Sequence, residues 1–128
     1  ALGFSVLIDD FGSGASSLSI LQNIDADVIK LDGRFMSADN PQTDKSESIV
    51  KSIVNMSWQI GMPVIVEGVE TDKQVAFLHE LGSRYAQGFY YYRPMPIDAF
   101  EELIADSASI DPRGILLHES EQRIDTAR

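Results

Sequence analysis

The chain has 128 residues, 44% hydrophobic and 23% charged, which suits one globular unit with a modest core. Its net charge of −10, from 20 acidic against 10 basic side chains, and the lack of any basic stripe interleaved with aromatics argue against polymeric nucleic acid as a partner. With no cysteine there are neither disulfides nor thiolate metal sites, so a metal here would be held by oxygen or histidine, which favours Mg²⁺, Mn²⁺ or Ca²⁺.

Four strand-then-helix units follow one another along the chain. An apolar run at residues 4–8 predicts a buried strand that stops at Asp9 and Asp10 and a loop containing Gly12 and Gly14. Residues 15–23 predict a helix with Leu18 and Leu21 on one face. A second strand is expected at 27–31 (DVIKL), then the polar loop SADNPQTD and a long helix over about 44–59, in which Ile49, Ile53, Met56 and Ile60 recur at helical spacing as a core stripe. Residues 63–66 (PVIV) predict a third strand, leading through EGVE to a helix at 71–81, with Thr71 or Asp72 as its cap and Gly82 as its end. A fourth strand is expected at 86–91 and, after RPMP, a helix at 97–105. From Ser107 the sequence turns polar and alternates charges, which predicts a linker or tail over 107–128.

Alternating strands and helices predict right-handed crossovers and a parallel sheet covered by helices. A doubly wound sheet and a (β/α)8 barrel both have that rhythm. The barrel is preferred because Asp9 and Asp10, Lys30 and Asp32, Glu67 and Gln87 each fall near the C-terminal end of a predicted strand, the rim on which barrel active sites are built. Four units are half of such a barrel, whose usual length is about 250 residues. The expectation is the C-terminal half of a TIM-like barrel, a piece of something longer that begins directly at a strand. A half barrel exposes strand edges, which predicts a homodimer or other self-association. No apolar run reaches the roughly 20 residues that span a bilayer, and the start ALGFSVLIDD lacks a signal-peptide pattern, so a cytoplasmic location without membrane contact by this segment is expected.

Asp9 and Asp10 are the most suggestive residues. Adjacent side chains on a strand face opposite ways, so both serve one site only if the chain turns there, which the following glycines permit. Close carboxylates repel unless a cation neutralises them, although Asp10 could instead cap the next helix. Lys30 and Asp32 share a strand face. A lysine among acids stays protonated and suits orienting water or phosphate, although a surface salt bridge explains KLD as well. Schiff-base chemistry at Lys30 would need a neutral amine. Glu67 ends the third strand, and Gly68 allows Glu70 to return to the same pocket, unless Glu70 belongs to the next helix's first turn. The aromatics Phe89, Tyr90, Tyr91 and Tyr92, together with Trp58, read mainly as packing. His79 and His118 form no metal-ligand pair.

Taken in series, IDDFGSGASSLSIL, ADVIKLDGRF, VIVEGVET and AQGFYYYRPMP closely resemble the second half of the EAL family of bacterial cyclic-di-GMP phosphodiesterases, over roughly residues 1–106. The resemblance implies a modified TIM barrel, with signal transduction as its setting and metal-dependent hydrolysis of cyclic di-GMP to linear pGpG as its reaction. It implies that Asp9 bridges two divalent cations, Mg²⁺ or Mn²⁺, and that Asp10 binds the second. Glu67 would be a further ligand or the general base, Lys30 would orient water and phosphate, and Glu70 would hold Lys30. Gln87 would complete the polar floor, and Pro94 would lie beside a guanine. The Glu-Ala-Leu segment that names the family is absent, and with it the Glu, Asn, Glu and Arg expected from earlier strands. The expectation is therefore an active parent, carrying other domains, and an inactive fragment. The alternative is a catalytically inactive domain serving as a cyclic-di-GMP receptor or protein-interaction module. The family's loop tyrosine is Ala15 here, and its IDRSFV-like segment reads LDGRFM.

Overall fold

The computed structural model describes residues 3–14, 17–37 and 43–105. Within them the apolar runs become strands β1 (Leu7–Phe11), β2 (Val28–Leu31), β3 (Val64–Val66) and β4 (Tyr85–Ala86), paired in parallel in chain order. Helices α1 (Ser17–Asn23), α2 (Thr43–Gln59) and α3 (Asp72–Glu80) make the crossovers, and α4 (Ile97–Ala105) follows β4. Such a run of parallel βα units is what a partial α/β barrel requires. The chain divides after Tyr90 into two units, the first holding the sheet with α1 to α3 and the second holding α4. None of the described helices is long and apolar enough to cross a membrane. The expected tail at 107–128 and His118 lie outside the described residues, as do residues 15 and 16 of the first expected helix.

Alternation along the strands sorts side chains onto two faces. Ile8, Phe11, Ile29, Leu31, Val64 and Val66 are buried on one of them, and Val50, Val54, Val75 and Leu78 of the helices are buried as well. Each fully buried aliphatic side chain contributes about 1.5–3 kcal/mol relative to exposure, so this set is the core of the first unit. Leu7, Val28, Lys30 and Ile65 fall on the opposite face and are less covered.

The first strand runs further than its hydropathy suggests. It starts at Leu7 and carries both acids through to Phe11, because the ladder to β2 continues past the end of the apolar run. Pairing goes from Leu7 with Val28 and Ile8 with Ile29 to Phe11 with Leu31. Three steps on β1 match two on β2, so one extra residue is taken up as a bulge at Asp9 and Asp10. Asp10 accordingly sits at φ 51°. Without the extra residue, Asp10 and not Phe11 would point with Ile8 into the core.

Three other expectations shift. The buried line of α2 is Ser46, Val50, Val54 and Ser57, one residue round from the expected stripe, while Ile49, Ile53 and Met56 are half-buried and Ile60 is exposed. Ser57 is tolerated in that line because its hydroxyl donates to the Val54 carbonyl at 2.7 Å. The fourth strand is only two residues long, since the chain turns at Gly88 to pack against Val69. Val69 N–H donates to Gln87 O at 3.2 Å, and Tyr90 N–H donates to Val69 O at 3.0 Å. A Cβ on Gly88 would overlap the Val69 backbone, so no other residue fits there. Trp58 is not core packing: it is 55% exposed, with the Arg84 guanidinium 5.6 Å from its ring centroid.

Candidate functional site

The bulge in β1 answers the problem that adjacent acids pose. Because Asp10 itself adopts the left-handed conformation inside the strand, its side chain is released from strict alternation and joins that of Asp9. Asp10 N–H donates to Asp9 Oδ1 at 2.9 Å, which orients the first carboxylate. Carboxylate oxygens of Asp9, Asp10 and Glu67 all lie within 4.8 Å of one another. Strands β1 and β3 therefore bring three acids to one rim of the sheet.

Between them stands Lys30 of β2. Its Nζ lies 2.5 Å from Glu67 Oε1 and 3.6 Å from Asp9 Oδ1. The hydrogen bond to Glu67 raises the Lys30 pKa above the usual lysine value; burial opposes this, and the charges of Glu67 and Asp9 add to it. The side chain is thus an ammonium at any ordinary pH, which opposes amine-nucleophile chemistry at this position. Glu67 is set by the backbone: its N–H donates to Leu31 O at 3.2 Å, and Gly68 turns the chain immediately afterwards at φ 74°. There the loops after β2 and β3 touch, since a Cβ on Gly68 would come within 3.0 Å of the Gly33 backbone.

Asp32 does not join the acidic group. It lies just past β2, nearly buried, and caps the single 3-10 turn Gly33–Phe35, with Oδ1 accepting from Arg34 N at 2.9 Å. Its Oδ2 accepts from Arg34 Nε at 2.9 Å and Nη2 at 2.6 Å. The Arg34 side-chain hydrogen bonds lower the Asp32 pKa, against the effect of burial. Glu70 is exposed in the turn leading to α3, and its N–H donates to Gln74 Oε1 at 2.7 Å. The ion-pair partners of Lys30 among the described residues are Asp9 and Glu67. Gln87 is an exposed residue just beyond β4, its N–H donating to Val66 O at 2.8 Å. Pro94 belongs to the second unit.

Three carboxylates with a neighbouring ammonium are a hard-oxygen donor set, suited to Mg²⁺, Mn²⁺ or Ca²⁺ rather than to softer metals. A separate cavity of about 220 Å³, lined in part by Trp58, Met62, Val64, Arg84 and Tyr85, opens at the other ends of β3 and β4 and has no carboxylate lining. Gln74 was not foreseen as part of this region. The signal was present, because a Thr three residues before a Gln, as in Thr71 and Gln74, is a capping-box spacing.

Comparison with known proteins bears on the family and the fold. Residues 1–94 match the family described as the EAL domain. The chain is 40% identical over 103 residues to the cyclic di-GMP phosphodiesterase NbdA of Pseudomonas aeruginosa, covering 80% of this chain and 13% of NbdA. The crystal structure of the EAL domain of Mycobacterium smegmatis DcpA superimposes with a TM-score of 0.72 at 33% identity, over 80% of this chain and 46% of that one. The manganese and cyclic-di-GMP complex of Klebsiella pneumoniae BlrP1 gives a TM-score of 0.63 at 36% identity, over 72% of this chain and 23% of that one. The chain thus spans about an eighth of the curated relative's length and under half of the solved DcpA chain.

Proposed function

The chain belongs to the EAL domain family, and from that premise we propose that the intact protein hydrolyses cyclic di-GMP to linear pGpG, using Mg²⁺ or Mn²⁺. The observation that carries this reading is the meeting of Asp9, Asp10 and Glu67 within 4.8 Å beside the Lys30 ammonium. Asp9, Asp10 and Glu67 would hold the divalent cations, or Glu67 would serve as the general base; when bound, such cations neutralise charge on the phosphoryl oxygens and make water acidic enough to attack phosphorus. In the reaction the water oxygen bonds to phosphorus and gives up one proton, one ester P–O bond breaks, and the released ribose oxygen takes up one proton, so that water is added across the bond.

The chain's own residues position these partners. The Lys30 ammonium faces the attacking water and a phosphate oxygen, a role suited to a permanent charge with three donors. Glu67 and Asp9, rather than the expected Glu70, steady Lys30; Gln87 would line the polar floor, and Pro94 would lie against a guanine. Further ligands come from strands outside residues 1–128, so the chain by itself is inactive. The working compartment is the cytoplasm.

Linear pGpG formation by the intact protein tests the reading. Asp9→Asn is expected to lower turnover by more than the roughly 10–100-fold that loss of an outer-shell partner costs. Undiminished turnover in that variant would remove the mechanism.

A further inference from the structure

We propose that Gln74 is a positioning residue for the acidic site, its side-chain amide tying the loop after β2 to the loop after β3. The inference rests on the phosphodiesterase reading above. Both ends of the amide are engaged. Oε1 accepts from Glu70 N at 2.7 Å, from Thr71 N at 2.8 Å and from Thr71 Oγ1 at 3.1 Å. Nε2 donates to the Met36 carbonyl, 38 residues away in sequence.

Only the oxygen end belongs to the capping box that starts α3. The nitrogen end has no part in that local motif, and its partner is buried Met36, which closes the 3-10 turn Gly33–Phe35 directly after Lys30, Leu31 and Asp32. One planar group thus spans from the segment that carries Lys30 to the segment that carries Glu67 and Glu70. Gly33 and Gly68 bring the two loops into contact, but two glycines offer no side chain to hold them in register. Gln74 supplies the directional bond, and so keeps Lys30 Nζ and Glu67 Oε1 at their 2.5 Å pairing.

Glutamate at 74 separates the two roles. Gln74→Glu keeps the acceptor, and a carboxylate is favoured in a helix's first turn, so the cap survives. It has no donor for Met36 O and sets two oxygens against each other. In the intact protein, Gln74→Glu is expected to lower the melting temperature less than Gln74→Ala does, because it keeps the cap. Its kcat should fall about 10-fold, with KM changed less than twofold and more Mn²⁺ needed for half-maximal rate. Gln74→Ala should lose both melting temperature and kcat. A Gln74→Glu protein with wild-type kcat and Mn²⁺ dependence would overturn the inference alone, as would equal losses of melting temperature in the two variants. A wild-type protein that forms no pGpG would overturn the functional reading and this inference with it.

Discussion

Asp10 meets two demands at once, a backbone at φ 51° and a carboxylate in the acidic group. The left-handed conformation costs a residue with a Cβ roughly 1–2 kcal/mol, and glycine is free of that cost. Asp10→Gly is therefore expected to keep or raise thermal stability, by up to about 1 kcal/mol, while removing most pGpG formation by the intact protein. A melting curve beside a turnover assay checks the pairing; a variant that loses both would place Asp10 in the scaffold. At Asp32 the consequence concerns pH. Its folded pKa is lowered below the ordinary 3.8, so its stabilising effect is complete above that value and is lost as pH falls through the folded one. Urea midpoints of wild type and Asp32→Asn should differ at pH 7 and draw together as pH falls below 3.8 and through the lowered folded pKa. A gap that stays constant down to pH 2 would show that Asp32 acts through something other than its charge.

At the scale of elements, hydropathy made legible the order of strands and helices, but not the face of every helix, since the buried line of α2 lies one residue round from its apolar stripe. It could not show where a ladder continues under polar residues. Asp9 and Asp10 look like loop because they are charged, yet they are strand because β2 goes on pairing beside them. The aromatic run at 89–92 looks like strand because it is apolar, yet the chain has already turned at Gly88 onto Val69. That turn yields a sharp expectation: Gly88→Ala forces a Cβ into the Val69 backbone and should cost about 3 kcal/mol or prevent folding. Denaturant unfolding of the purified variant, or its absence from the soluble fraction, checks this. A cooperative transition at the wild-type midpoint would refute it. The start of α3 was readable because capping is local, whereas the reach of Gln74 to Met36 was not, since no sequence spacing reports a contact between distant loops.

For the whole molecule, the acids at strand ends were enough to suggest a shared rim, and the four motifs in series carried the family. The set that meets is narrower than the sequence suggested, because Asp32 is occupied by Arg34. In the first unit, Phe4 is 84% exposed and Leu18 65%, and β1 is an edge of the sheet among the described residues. Such a surface favours association. Residues 1–128 alone are expected to sediment as dimers or larger species whose size rises with concentration; a stable monomer at all concentrations would contradict this.

The two faces of β1 to β3 differ in kind, one cohering and the other gathering charged groups. The carboxylates stand on the open side, while Ile8, Phe11, Ile29, Leu31, Val64 and Val66 are buried on the other. An exchange among those acids is therefore expected to change the charge of the rim while the sheet stays folded, which a melting curve of Asp9→Asn checks.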